Sequence, residues 1–142
     1  MSTDRTTFER YFKDSETVDI AQMHDKFWSN VKLKPSVCDK ATLLARADFL
    51  QEELDEFRRA VENGDYLEQI DALVDLVVVA KGTAVMMGLR WKWHWDEVHR
   101  ANLMKEVGAN KKRPDMPFDL VKPKGWIGPN HLVILDKYSG YL

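Results

Sequence analysis

Cysteine is nearly missing from this chain: Cys38 is the only one in 142 residues. One thiol cannot close an intramolecular disulfide, so packing must hold the fold, as in a reducing compartment. No His or Asn near Cys38 completes a nucleophile signature, and a structural thiol is expected. Long apolar runs are missing too. The most apolar stretch, residues 73–79, falls far short of the ~20 residues a bilayer-spanning helix needs, and Lys81 follows it. The N-terminal MSTDRTTFERYFKDSETVD is polar and mixed in charge, with no apolar core of a secretory signal. Nor does either sign of charge dominate: the formal net charge is -2, which gives no whole-protein case for a nucleic-acid polymer. There is no internal repeat and no low-complexity segment. These absences set the expectation of a cytoplasmic protein with no membrane partner.

What is present is an ordinary globular composition, 44% hydrophobic and 31% charged. That suits a single domain over residues 1–142, with a core of about 18–107 and a tail of 108–142. Residues 18–31 place Ile20, Met23, Phe27 and Val31 on one helical stripe. A loop with Pro35 follows. The spacing of Leu43, Ala47, Leu50, Leu54, Phe57 and Val61 predicts a long helix over 40–62 with a core-facing seam. Asn63-Gly64-Asp65 should end it, with Gly64 in the left-handed conformation and Asp65 capping the next helix. So short a link forces an antiparallel pair. The next helix, 66–87, is apolar almost all round from Leu73, which calls for burial on several sides and suggests a second subunit. A tryptophan-rich turn is expected at 89–95, then a helix at 96–106, then an irregular tail. In that tail, 132–135 is expected as a short strand or a segment packed along the bundle. The fold class is therefore all-α, a four-helix bundle assembling as a homo-oligomer.

The pair of long helices carries acids among large apolar residues. Glu53 and Glu56 are i, i+3 neighbours, beside Glu52. Glu68, Asp71 and Asp75 share a face on the following helix. Carboxylates crowded beside an apolar stripe repel one another and lose hydration, a costly arrangement unless a cation neutralises it. Oxygen ligands suit a hard divalent ion such as Mg²⁺ or Mn²⁺. A metal site between two antiparallel helices is the expectation.

A second group lies on the fourth helix, where His99, Asn102 and Glu106 fall along one side, flanked by Arg100 and Lys105. Asn pairs a donor with an acceptor, suited to a base edge, and Lys or Arg suits phosphate oxygens. Arg46 lies two turns before Glu53 and is expected to hold a phosphate or pair with the acids. Lys81 is expected to reach a phosphate, balance an acid or extend to the surface. The tail cations Lys111, Lys112, Arg113, Lys122 and Lys124 are either solvated surface or a lid over a triphosphate.

Glu52-Glu53-x-x-Glu56 followed by Glu68-x-x-Asp71 entering an apolar helix resembles the all-α nucleoside triphosphate pyrophosphohydrolases. These include the MazG-like proteins, the dimeric dUTPases and the phosphoribosyl-ATP pyrophosphohydrolases. Asp71-Ala72-Leu73-Val74-Asp75, Gly82-Thr83-Ala84, Glu97-Val98-His99-Arg100-x-Asn102-x-x-Lys105 and Gly128-Pro129-Asn130 extend the likeness to a phosphoribosyl-ATP pyrophosphohydrolase-like branch common in bacteria and phages. The resemblance spans roughly residues 21–130. It implies a MazG-like bundle that cleaves a (d)NTP to the monophosphate and pyrophosphate and serves nucleotide-pool control. Glu53, Glu56, Asp71 and Asp75 would hold Mg²⁺ or Mn²⁺, and Glu52 or Glu68 would orient the water. His99, Asn102, Lys105 and Arg46 would contact substrate. Trp28, on the first helix of the bundle, would stack on the base, with a purine deoxynucleotide favoured. Partners would be the nucleotide and one or three further copies of the chain. The alternatives are a phosphoribosyl-ATP or a dUTP/dCTP-type pyrophosphatase, or a helical nucleotide-binding module without chemistry.

Overall fold

The computed structural model describes residues 3–138, which fall into two compact units that divide after Trp91. The first holds α1 (Arg5–Phe12), α2 (Ser15–Trp28), α3 (Lys40–Glu62) and α4 (Tyr66–Met86). Each begins on an aspartate: Asp4, Asp14, Asp39 and Asp65 accept the backbone N–H of Thr6, Thr17, Thr42 and Glu68. Asp14 and Asp39 also accept the hydroxyl of the threonine three residues on, both at 2.7 Å. Such caps satisfy backbone donors the first helical turn would otherwise leave unpaired.

α3 and α4 form the expected antiparallel hairpin. Gly64 takes φ +65°, and Asp65 N donates back to Ala60 O at 2.9 Å. Three side-chain bonds fix the register: Arg46 donates to Thr83 and to Val79 O, and Gln69 donates to Ala60 O. α2 packs on α4 and α1 on α2.

The core is not where the α3 seam led. It gathers Phe8, Tyr11, Phe12, Val18, Ile20, Ala21 and Val85. The expected seam is left half-open, with Ala47, Leu54 and Val61 exposed, and only Glu53 and Ala60 of α3 are buried. In one chain α3 has one large helical partner, which covers one side of its stripe. The polar N-terminal stretch supplies the missing core: α1 places Phe8, Tyr11 and Phe12 on one face. Tyr11 meets Phe12 edge-on at 4.9 Å, and its hydroxyl donates to Gly88 O. Burial pushes that phenol up to about 12.

Lys81 resolves in favour of balancing acids. It is 7% exposed and pairs with Asp14 at 2.9 Å and Glu16 at 3.1 Å. Burial raises the Asp14 carboxyl, but the Lys81 and Thr17 bonds outweigh it and hold the group below its ordinary range. The Cys38 thiol donates to Met86 O at 3.5 Å.

The second unit begins with α5 (Trp91–Leu103), its first residue at the boundary. The tryptophans expected in a turn are helical. The chain reverses earlier, where Leu89 N donates to Ala84 O and Gly88 takes φ +65°. α5 stops at Leu103, so Glu106 is not on the face of His99 and Asn102. It opens β1 (Glu106–Gly108), which pairs antiparallel with β2 (Asp119–Val121), a hairpin inside the tail expected to be irregular. The segment 132–135, expected as a short strand or as packed along the bundle, is not a strand: it lies in α6 (His131–Tyr138), started by Asn130 accepting Val133 N–H at 3.2 Å. Glu97 accepts Asn130 N–H and the Arg100 guanidinium, while Arg100 reaches Gly128 O. These bonds pull the Glu97 carboxyl down to about 2. Part of the Glu97-to-Lys105 motif thus fastens the Gly128-Pro129-Asn130 loop.

Candidate active site

The hairpin register decides which acids meet. Arg46 lies opposite 79–83 and Ala60 opposite 69, so positions 53 and 56, midway along α3, face the 71–75 turns of α4. The electrostatics agree. Glu53 is 8% exposed, and burial first, then Glu56 and Asp75, raise its carboxyl above the ordinary range. Burial first, then Asp71 and Glu56, raise Asp75. Every influence on these two groups pushes the same way. Glu53 Oε2 is buried with no hydrogen-bond partner among the described residues.

Glu56 and Asp71 are exposed and Asp75 is half-buried, so the cluster opens to solvent on one side. Glu52 is exposed, and its charge acts on Glu53. Glu68 sits apart: it is exposed in the first turn of α4, next to the Gln69 that reaches Ala60. Among the described residues, no three His, Cys, Asp or Glu side chains already converge on one point as metal ligands. The cluster is a set of facing carboxylates rather than a finished coordination sphere. Its donor chemistry fits a hard cation: all oxygen, mutually repelling, with one acceptor buried and unmatched.

Arg46 is partly committed elsewhere. Its Nε donates to Thr83 Oγ1 at 3.0 Å and its Nη2 to Val79 O at 2.9 Å, tying α3 to α4. Beside it lies His24, which sequence reasoning passed over. Its Nδ1 lies 2.9 Å from Asn30 Oδ1, a contact in which a protonated Nδ1 donates. Burial, then the Arg46 charge, depresses this imidazole. Gly82 makes the arrangement feasible, since a Cβ there would fall 2.6 Å from His24 Nε2 and 2.8 Å from Arg46 Nη2. The available signal was spacing: His24 stands one turn before Trp28 on the face of Ile20.

Trp28 and Phe27 are 58% and 62% exposed. Trp28 meets the His24 ring edge-on at 4.9 Å and leaves most of its surface to solvent. His99 and Asn102 are exposed on α5 in the second unit, and Lys105, just past it, stands 5.4 Å from the Trp126 ring. The structure thus brings Glu52, Glu53, Glu56, Asp71 and Asp75 together on the α3–α4 hairpin, and places His99, Asn102 and Lys105 in the other unit.

The first unit is thus a helical hairpin with facing acids, packed with α2 and α1, in a mostly helical protein. Residues 20–102, more than half of the 142, match the phosphoribosyl-ATP pyrophosphohydrolase family, and the chain belongs to it. It is a pyrophosphohydrolase-type nucleotide enzyme. Among curated proteins, none matches the chain. No single helix of the described residues is long and apolar enough to cross a membrane.

Proposed function

We propose that the protein hydrolyses a nucleoside triphosphate between its α and β phosphates, releasing a monophosphate and pyrophosphate. The observation that carries this is the buried Glu53 carboxylate, its Oε2 without a hydrogen-bond partner among the described residues, facing Glu56 and Asp75. A repelling oxygen cluster of this kind gains most from divalent cations, and its natural ligand is a polyanion that brings them. Glu53, Glu56, Asp71 and Asp75 would hold Mg²⁺ or Mn²⁺. Bound there, the metal would offset phosphate charge and lower the pKa of a water. Glu52 is the better placed base, because its charge already acts on Glu53, while Glu68 lies toward the hairpin turn. Lys105 and the tail lysines supply cations for the outer phosphates, and Asn102 and His99 supply polar groups for the nucleoside. Trp28, with Phe27, offers a stacking face that suits a purine.

Assembly as a homodimer or homotetramer belongs to the same reading. Leu54, Val61, Leu73, Val74 and Val77 stand about half exposed on the α3–α4 hairpin. An apolar surface of that kind is typical of an interface between copies. Cytoplasmic localisation and a role in nucleotide-pool control follow from this reading.

The test is a screen of common ribo- and deoxynucleoside triphosphates, with phosphoribosyl-ATP and the dUTP/dCTP pair included, at fixed Mg²⁺ or Mn²⁺. Metal-dependent pyrophosphate release from a triphosphate is the expected result. Pyrophosphate release from phosphoribosyl-ATP alone would move the assignment to that substrate. No release from any of them would leave a binding module.

A further inference from the structure

The second unit contains an open groove of about 740 Å³ that gathers most of the tail cations in one place. It is formed by the end of α5 and the β1–β2 hairpin with its connecting loop. Lys105, Lys111, Lys112, Arg113 and Lys122 line it, against the single carboxylate of Asp119. Arg113 holds that carboxylate at 2.5 Å, and Leu120 N–H adds a second bond at 2.7 Å. The Arg113 bond first, then the Leu120 bond, keeps Asp119 below its ordinary range, so it stays ionised and matched. Four lysines remain in excess in a chain whose formal net charge is -2.

The backbone beneath Lys112 and the side chains of Lys105 and Lys122 rest on built structure. Asn110 Oδ1 accepts Lys112 N–H at 3.0 Å, and its amide reaches Leu120 O across the hairpin. Lys105 and Lys122 stand 5.4 and 5.1 Å from the same Trp126 ring. Trp126 is fixed in turn by its Nε1–H donating to Ala101 O at 2.7 Å. Each strand has three residues and spans about 10 Å. That length suits a short phosphate chain better than a polynucleotide tract, which needs ~4–16 nucleotides of groove and stacked aromatics.

We propose that this groove is a binding site for a short oligophosphate, with Lys111, Lys112 and Lys122 as its main charge. It deepens the nucleotide reading and rests on it only for the ligand's source: the triphosphate end of a substrate, or a free oligophosphate. The probe is inorganic tripolyphosphate, titrated calorimetrically into the full chain in EDTA, where no metal-dependent hydrolysis runs. One saturable site is expected at 0.1 M salt, fading at 1 M as screening shortens to about 3 Å. Lys111→Gln/Lys112→Gln should weaken it about tenfold, and Lys122→Gln severalfold, with helical circular dichroism unchanged. Glu53→Gln should leave it intact, so loss of catalysis and loss of this site are separable. No binding, or binding that ignores all three lysines, would overturn the proposal. So would a single-stranded oligonucleotide that binds tightly while tripolyphosphate does not. Where binding falls, a raised KM at unchanged kcat in the double lysine variant assigns the site to substrate phosphates. An unchanged KM assigns it to a free oligophosphate.

Discussion

Replacing Glu53 by Gln should make the metal-free protein more stable while removing its response to Mg²⁺. Glu53 is 8% exposed, its Oε2 has no hydrogen-bond partner among the described residues, and Glu56 and Asp75 act on it with like charge. A Gln amide fills the same space, carries no charge and offers N–H donors to those carboxylates. A hydrogen bond to a charged group contributes about 1.5–3 kcal/mol, reduced here because Glu56 is exposed, which leaves about 1–2 kcal/mol. At this chain length that raises Tm by about 2–8 °C. The pH dependence has a fixed sign. Glu53 and Asp75 are raised, so their penalty is absent below the unfolded carboxylate range and grows as pH rises through and above it. Asp14 and Asp119 are lowered and act in reverse: their stabilisation is lost only as pH falls below the ordinary range. Burial also depresses His24 and His94, whose penalty grows as pH falls through the imidazole range, so the sign is read from the difference between the two proteins: in EDTA, Glu53→Gln should gain less over wild type at mildly acidic pH than at neutrality. In wild type, Mg²⁺ at a hundred times its Kd should add about 2.7 kcal/mol. Melts of both proteins in EDTA and in Mg²⁺ decide the matter. A variant that melts below wild type in EDTA, or gains as much from Mg²⁺ as wild type does, refutes the reasoning.

Three further outcomes are expected. Lys81→Met strips the cation from Asp14 and Glu16 and should cost about 2–3 kcal/mol, less than a fully buried pair because Glu16 is exposed; urea titration at pH 7 reads it directly. Gly82→Ala drives a methyl into His24 and Arg46 and should cost about 1–3 kcal/mol together with activity, whereas Gly125→Ala, with open space around it but φ +80°, should cost less and leave kcat alone. Trp28→Ala should raise KM or flatten base preference without abolishing metal-dependent turnover, and an unchanged base profile would reduce Trp28 to plain surface.

The hairpin was legible because its signals are local. Periodicity gave α3 its bounds of Lys40–Glu62, and Asn63-Gly64-Asp65 announced both the stop and the next cap. The facing acids followed from that geometry. What stayed hidden depends on distant partners. Lys81 finds Asp14 and Glu16 more than sixty residues away in sequence, so its own helix could not reveal its role. α1 hid its Phe8, Tyr11 and Phe12 face among charged neighbours, although the Asp4 cap marked its start. The tail hairpin has three-residue strands, too short for alternation to register, and it rests on Asn110 and Trp126 contacts made by folding.

α4 meets the same problem twice and resolves it in two ways. At Lys81 a buried charge is matched, with Asp14 and Glu16 within 3.1 Å, beside the aromatic core that holds α1, α2 and the end of α4 together. Two turns earlier, at Asp75, and across at Glu53, like charges accumulate and every influence raises them. Stability alone would favour an apolar side chain or a lysine at either position, at no cost to the helix. On α4 this end of the hairpin is also open to solvent, with Leu67, Ile70, Leu73 and Val74 exposed. Strain is thus confined to a stretch the core does not need, and it is of the kind a divalent cation relieves. On the function proposed above, binding energy gained there would be used on the ligand that brings the cation, and the over-charged hairpin would be a site rather than a defect.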